Sequence, residues 1–203
     1  MTQLTDNDMN RSIYDAENVF GPAAAEIKNP IGLLKERCAA FSGYRAYKFA
    51  KSFPAGDAER QVKAMLRPAI ASEYENGVRI FYTGMASGFD LWAATVVLEL
   101  RDAGICPDAQ TITVEPFSGQ INNIRIPEER LLYEKIKKES PINIILSDMY
   151  YAGCYLRRND YLIDSVSRII CYYDGQKGGT FYTVNHAKRK GLKIINLFSS
   201  TIF

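Results

Sequence analysis

Six short apolar runs, at 38–42, 79–83, 111–115, 142–146, 168–173 and 193–197, recur along most of the chain, separated by longer stretches with helical spacing. Runs such as "INIIL" and "RIICYY" are continuous rather than alternating. A strand of that kind is buried on both faces, as in a parallel sheet covered by helices. Strand alternating with helix predicts a Rossmann-like α/β sandwich of three layers, with a mostly parallel sheet and helices on both faces. The intervening stretches fit. In 57–75, Val62, Met65, Leu66, Ala69 and Ile70 share one face, although Pro68 should kink or restart that helix. In 89–103, Trp92, Val96 and Leu100 recur every fourth residue. Pro127 opens a charged amphipathic helix over 128–139, and a helix over 180–190 ends at Gly191. Residues 1–36 show no such period and read as an arm or short helix before a single domain over 37–203.

The bulk properties exclude several classes. A chain of 203 residues, 47% hydrophobic and 24% charged, suits one α/β domain with a real core. A net charge of +2 makes broad nucleic-acid binding an unfavoured role. One histidine, His186, rules out a His-rich metal site and suits a surface or packing role. Cys38, Cys106, Cys154 and Cys171 form no CxxC pair and read as reduced thiols of a cytoplasmic protein. No apolar run approaches the roughly 18 residues of a membrane helix, and the polar, acidic start is not a signal peptide.

Ligands of such sheets sit beyond the carboxyl ends of the strands, so chemistry is sought just after each apolar run. Gly43, Tyr44 and Arg45 follow the first run. "TGMASGFD", Thr83 to Asp90, follows the second; Glu115 ends the third; "DGQKGGT", Asp174 to Thr180, follows the fifth. Gly84 and Gly88 bracket one glycine turn, and Gly178, Gly179 and Thr180 form another. Glycine lets bare N–H groups approach a ligand, and the following helix start favours phosphate. Neither turn is a Walker motif or GxGxxG, and either alone can be an ordinary strand-to-helix turn. Together with Arg45 they outline an anion-binding cleft. Asp90 is either the cap of the 89–103 helix or an acceptor for a ribose hydroxyl. Arg157, Arg158 and Asn159 are either a solvated helix start or groups for phosphate and base. Tyr172 suits packing at the sheet edge, whereas Tyr173 or Tyr44 can stack on a nucleobase.

Taken in order, "FSGYR", "YTGMASGFDLWAA", "EPF" and "RRNDYLIDSVSRIICYYDGQKGGTFYTVNHAKRKGLKIIN" resemble the YpsA-like branch of the SLOG superfamily, from about Cys38 to Phe198. That superfamily also holds the DprA/Smf proteins and the Lonely Guy enzymes. The resemblance implies a Rossmann-like domain for nucleotides or nucleotide-derived ligands, often in bacterial and phage conflict systems, and self-association as a dimer or higher homo-oligomer. It implies a pocket of Gly43, Tyr44, Arg45, Thr83, Gly84, Gly88, Asp90, Arg158, Asn159, Asp174, Gly178, Gly179 and Thr180. The apolar helix over 89–103 and the N-terminal arm are the candidate contacts between copies. In the phosphoribohydrolase members a pattern resembling PGGxGTxxE ends in a glutamate that helps cleave the N-glycosidic bond; here that position is Thr183. A hydroxyl cannot replace a carboxylate as base at neutral pH. The expected role is therefore a non-catalytic sensor or sequestering protein for a signalling nucleotide, with no cofactor and no metal. The alternative is a nucleoside or nucleotide N-glycosidase or transferase using Asp90 or Glu115; a DprA-like DNA-binding role ranks third.

Overall fold

The computed structural model describes residues 30–49, 53, 54 and 56–198. The expected arm over 1–36 falls mostly outside them; Leu33 is buried against the core, and a short 3-10 turn, Lys35–Arg37, leads into the first strand.

Each apolar run is a strand: β1 Cys38–Ser42, β2 Ile80–Thr83, β3 Gln110–Glu115, β4 Ile142–Ile145, β5 Arg168–Cys171 and β6 Lys193–Asn196. They form one parallel sheet in the order β4-β3-β2-β1-β5-β6. The helices are the short α1 Ala46–Phe49, then α2 Ala58–Glu75, α3 Phe89–Asp102, α4 Pro127–Glu139, α5 Cys154–Ser165 and α6 Gly179–Arg189. Alternate residues of β1 feed opposite faces of the sheet. Ala39 and Phe41 pack with Val62, Leu66 and Ile70 of α2 and Trp92, Ala93 and Val96 of α3. Cys38 and Ala40 pack with Leu162 and Ile163 of α5 and Val184 and Ala187 of α6. This is the three-layer α/β sandwich.

Three expectations are corrected. First, α2 runs unbroken through Pro68. Pro68 and Ala64, whose carbonyl loses its partner, both lie on the exposed face, where that oxygen is open to solvent. Second, β4 is not buried on both faces. It is an edge strand with Asn143 and Ile145 exposed, so "INIIL" reads as a central strand only until the strand order is known. Third, α3 is no contact surface between copies. Almost all of it is buried, between α2 on one side and α4 on the other. Its apolar content is spent inside the molecule.

A buried ion cluster ties β5 and β6 to α2. Glu73, 3% exposed, accepts from Arg168 Nη1 at 2.9 Å and Lys193 Nζ at 2.7 Å. Burial pushes its carboxyl up, but the two cations outweigh this and hold it below the free value of 4.5. A carboxyl with a depressed folded pKa contributes stability that is complete above 4.5 and is lost as pH falls through the folded value. Glu73→Gln should therefore cost about 2 kcal/mol at pH 7, on the scale of charge-assisted hydrogen bonds, and less at a pH well below the free value of 4.5. Urea unfolding at the two pH values measures this; an equal cost at both would show that the charge is immaterial.

Candidate functional site

The chain runs from β1 outward to β4 and then returns to the other side of β1, so the strand order reverses between β1 and β5. A crevice at the carboxyl ends is expected at such a reversal. A cavity of about 300 Å³ lies there. Its wall includes Gly43, Tyr44, Arg45, Asp90, Arg158, Asn159, Gly179 and Thr180 of the expected set. Thr83, Gly84, Gly88, Asp174 and Gly178 are not on it. They lie one layer behind the wall or at its rim.

The two glycine turns are physically different. The turn between β2 and α3 is buried and fully occupied by the protein's own groups. Thr83 Oγ1 accepts from Met85 N at 3.2 Å and donates to Asp90 O at 3.1 Å. Gln120 Nε2 donates to Gly84 O at 3.1 Å and Met85 O at 2.6 Å. Gly88 N donates to Glu129 Oε1 at 2.8 Å. Gly88, with φ +84°, occupies the cap position of α3, and Asp90 is in its first turn. Two carboxylates, Glu129 and Asp90, thus answer the positive end of α3. An anion has no vacancy there. The turn before α6 is open instead: Gly179 has nothing within 4 Å of where a Cβ would stand, and Lys48 Nζ lies near Gly178. Thr180 Oγ1 donates to Gly43 O at 3.1 Å, tying this turn to the end of β1.

Arg158 is not a solvated helix start. It is 5% exposed on α5, with Nη1 donating to Gly84 O and lying 3.6 Å from Asp90 Oδ2. Burial pushes the Asp90 carboxyl above its usual range, opposed by Arg158 and then Arg45. Burial lowers the Arg158 pKa as well, yet an arginine remains charged. Asn159 Oδ1 accepts from Arg158 Nε at 2.9 Å. Arg45 places its guanidinium 5.7 Å from the centre of the Tyr155 ring.

Tyr44 and Tyr173 do not present free ring faces to the cavity. Tyr44 is buried against Phe49 and Tyr172, its hydroxyl donates to Asp174, and Lys48 Nζ stands 5.0 Å from its ring centre. Tyr173 packs near Phe181. Glu115, the other carboxylate considered for catalysis, faces away: it is 2% exposed and pairs with Lys137 Nζ at 2.5 Å. His186 bridges α6 to α5, its Nδ1 2.8 Å from Asp160 Oδ1. Thr183 is buried and donates to Gly179 O at 2.9 Å, so its hydroxyl is spent on its own helix. The four cysteines are buried thiols outside any disulfide, and burial pushes the Cys38 and Cys171 thiols up to about 12. No cluster able to hold a metal ion occurs among the described residues. No helix among them is long and apolar enough to cross a membrane.

The expected set lacks several wall residues: Ser42, Tyr47, Lys48, Tyr155 and Leu156. Lys48 and Tyr47 sit one turn beyond Arg45, on the short α1. Tyr155 belongs to the first turn of α5, within a stretch that reads as loop. Gln120 and Glu129, which hold the buried turn, also went unseen. The one available signal was the acidic pair Glu128-Glu129 just after Pro127, an ordinary helix start.

Comparison with known proteins agrees with this architecture. The YpsA model, described as the YspA SLOG family, matches residues 39–197. A UPF0398 protein of Halalkalibacterium halodurans is 24% identical over 151 residues, 73% of this chain and 79% of that protein. A UPF0398 protein of Bacillus cereus is 26% identical over 158 residues, 75% of this chain and 83% of its own length. Among solved structures, DNA processing protein A from Streptococcus pneumoniae superposes with a TM-score of 0.55 at 17% identity, over 81% of this chain and 51% of that one. DNA processing protein A from Helicobacter pylori, described with a single-stranded DNA binding mode, gives 0.53 at 18% identity, over 79% and 64%. The chain spans about half to two thirds of those two chains, and at such identity the likeness is one of fold. With the family model covering most of its length and every strand of the sheet, the chain belongs to the YspA SLOG family.

Proposed function

We propose that the cavity binds a nucleotide-derived small molecule through its phosphate and does not turn it over, so that the protein senses or sequesters a signalling nucleotide. The observation that carries this is the charge of the wall: Arg45, Lys48 and Arg158 face one carboxylate, Asp90, in the cavity at the strand reversal. Among the described residues neither Arg45 nor Lys48 has a carboxylate partner; both rest on tyrosine rings. The open start of α6 adds backbone N–H donors at the same wall. A non-catalytic role is supported by Thr183, whose hydroxyl is committed where the hydrolytic relatives resemble a glutamate pattern.

Incubation with a nucleotide panel, followed by denaturation and mass spectrometry of the released material, tests the reading. A binder returns its nucleotide intact; release of free base and sugar phosphate, abolished by Asp90→Asn, would replace it with N-glycosidase chemistry. Arg45→Ala should weaken nucleotide binding by about 1.5–3 kcal/mol, the range for charge-assisted hydrogen bonds, without moving the thermal midpoint of the free protein. Calorimetry and thermal unfolding check the two halves. Unchanged affinity would remove Arg45 from the site.

A further inference from the structure

We propose that the mouth of the cavity carries a stacking subsite for a nucleobase, built from Tyr155, Tyr150 and Phe117. The inference rests on the phosphate-binding reading of the cavity and adds where the other end of the ligand lies. Tyr155 belongs to both places. It lines the cavity, and it packs edge-on against Phe117, with ring centres 6.0 Å apart. Tyr150 completes the cluster, 5.5 Å from Phe117 and 6.4 Å from Tyr155.

The cluster is ordered by its own contacts. Phe117 is buried just beyond the end of β3 and forms its base. The Tyr155 hydroxyl accepts from Asn123 Nδ2 at 3.2 Å, which fixes the ring. Tyr150 is nevertheless 61% exposed, beside Met149 at 71%. Large exposed apolar surface next to a ring that lines a cavity marks a binding surface. Arg45 stands over Tyr155, so a planar cation and an aromatic ring meet on the cavity wall. A π-face beside an arginine is the recurrent platform for an unpaired base.

Polarity therefore changes along one path, from the buried cation Arg158, past Arg45 and Tyr155, to exposed Tyr150. A ligand that matches it has an anionic end and a flat aromatic end, the chemistry of a nucleoside phosphate. Stacking reads area rather than hydrogen-bond pattern, so purines should bind tighter than pyrimidines without strict base choice.

Calorimetry of the full chain with AMP, UMP and ribose 5-phosphate separates the base from the phosphate. AMP should bind about ten-fold tighter than ribose 5-phosphate, with UMP between them. Tyr150→Ala should abolish that advantage and leave ribose 5-phosphate affinity unchanged; Tyr150→Phe should keep the advantage. If circular dichroism shows Tyr150→Ala unfolded, Tyr150→Leu, which keeps apolar bulk without a π-face, is read in its place. An AMP advantage that survives loss of the ring, or loss of ribose 5-phosphate binding together with it, would overturn the subsite and leave the phosphate reading standing. Failure of all three to bind the native protein at millimolar concentration would overturn both.

Discussion

Replacing Arg158 by alanine should cost about 3–5 kcal/mol of stability, besides abolishing ligand binding. At the wall of the cavity the residue joins three groups. Gly84 O, inside a buried turn, accepts from its Nη1; Asn159 Oδ1 accepts from its Nε; Asp90, 6% exposed, lies 3.6 Å away. Without the guanidinium the buried Asp90 carboxylate keeps the Ala86 N–H at 3.4 Å and Arg45 as the remaining nearby cation, and burial then drives it to take up a proton or move. The double variant Arg158→Met, Asp90→Asn should recover part of the loss, because the stranded charge is gone. Urea unfolding measures all three proteins. Were Arg158→Ala to unfold at the native midpoint while binding vanished, Arg158 would be a ligand group alone, and the Asp90 pair structurally idle. Arg45, half-buried and with no carboxylate paired to it among the described residues, should show the reverse behaviour.

Gly88→Ala should cost about 3 kcal/mol or more, by a different route. Gly88 has φ +84°, and a Cβ there would overlap Ala46 N and lie 2.8 Å from Tyr44 O. Those are backbone atoms of the segment that carries Arg45 and Lys48, and Phe89 N is bonded to the same Tyr44 O at 3.1 Å. A left-handed conformation costs a non-glycine residue roughly 1–2 kcal/mol, and backbone cannot swing aside as a side chain can. Gly179→Ala is the control. Its Cβ meets open space, so stability should change by less than about 0.5 kcal/mol, while anion binding weakens where the methyl crowds the start of α6. A Gly88→Ala protein with the native thermal midpoint would show that the turn yields, and that the α1 segment is not pinned by it.

The contrast between these glycines was not legible from the sequence. Gly84, Gly88, Gly178 and Gly179 all follow apolar runs and precede helices, so local pattern treats them alike. What separates them is the company supplied from afar: Glu129 and Gln120 reach the first turn from about forty residues downstream and fill it, whereas the second is tied to the end of β1 through Thr180 and leaves Gly179 facing open space. The strands were readable because burial on two faces leaves a continuous apolar run. Their order was not, since no periodicity encodes which strand lies beside which. Only the return of β5 to the free side of β1 turns the Ser42-Gly43-Tyr44-Arg45 segment into a cavity wall. The same ignorance of order made edge strand β4 read as a buried one. Arg158 lines the cavity, but helical spacing could not show that its guanidinium is already half-committed to Gly84 and Asp90.

Trp92 is the single tryptophan of the chain, and it is 4% exposed. Its ring centre stands 5.4 Å from that of Phe49, the last residue of α1, whose neighbours Tyr47 and Lys48 line the cavity. The indole Nε1 has no hydrogen-bond partner among the described side chains and backbone. One chromophore therefore looks directly at the back of the segment that a ligand would touch from the front. Its emission is an optical read-out built into the native sequence, sensitive to how α1 sits and free of interference from other indoles. A ligand that enters the cavity and shifts α1 should therefore change the fluorescence of the unlabelled protein, with no dye and no engineered residue.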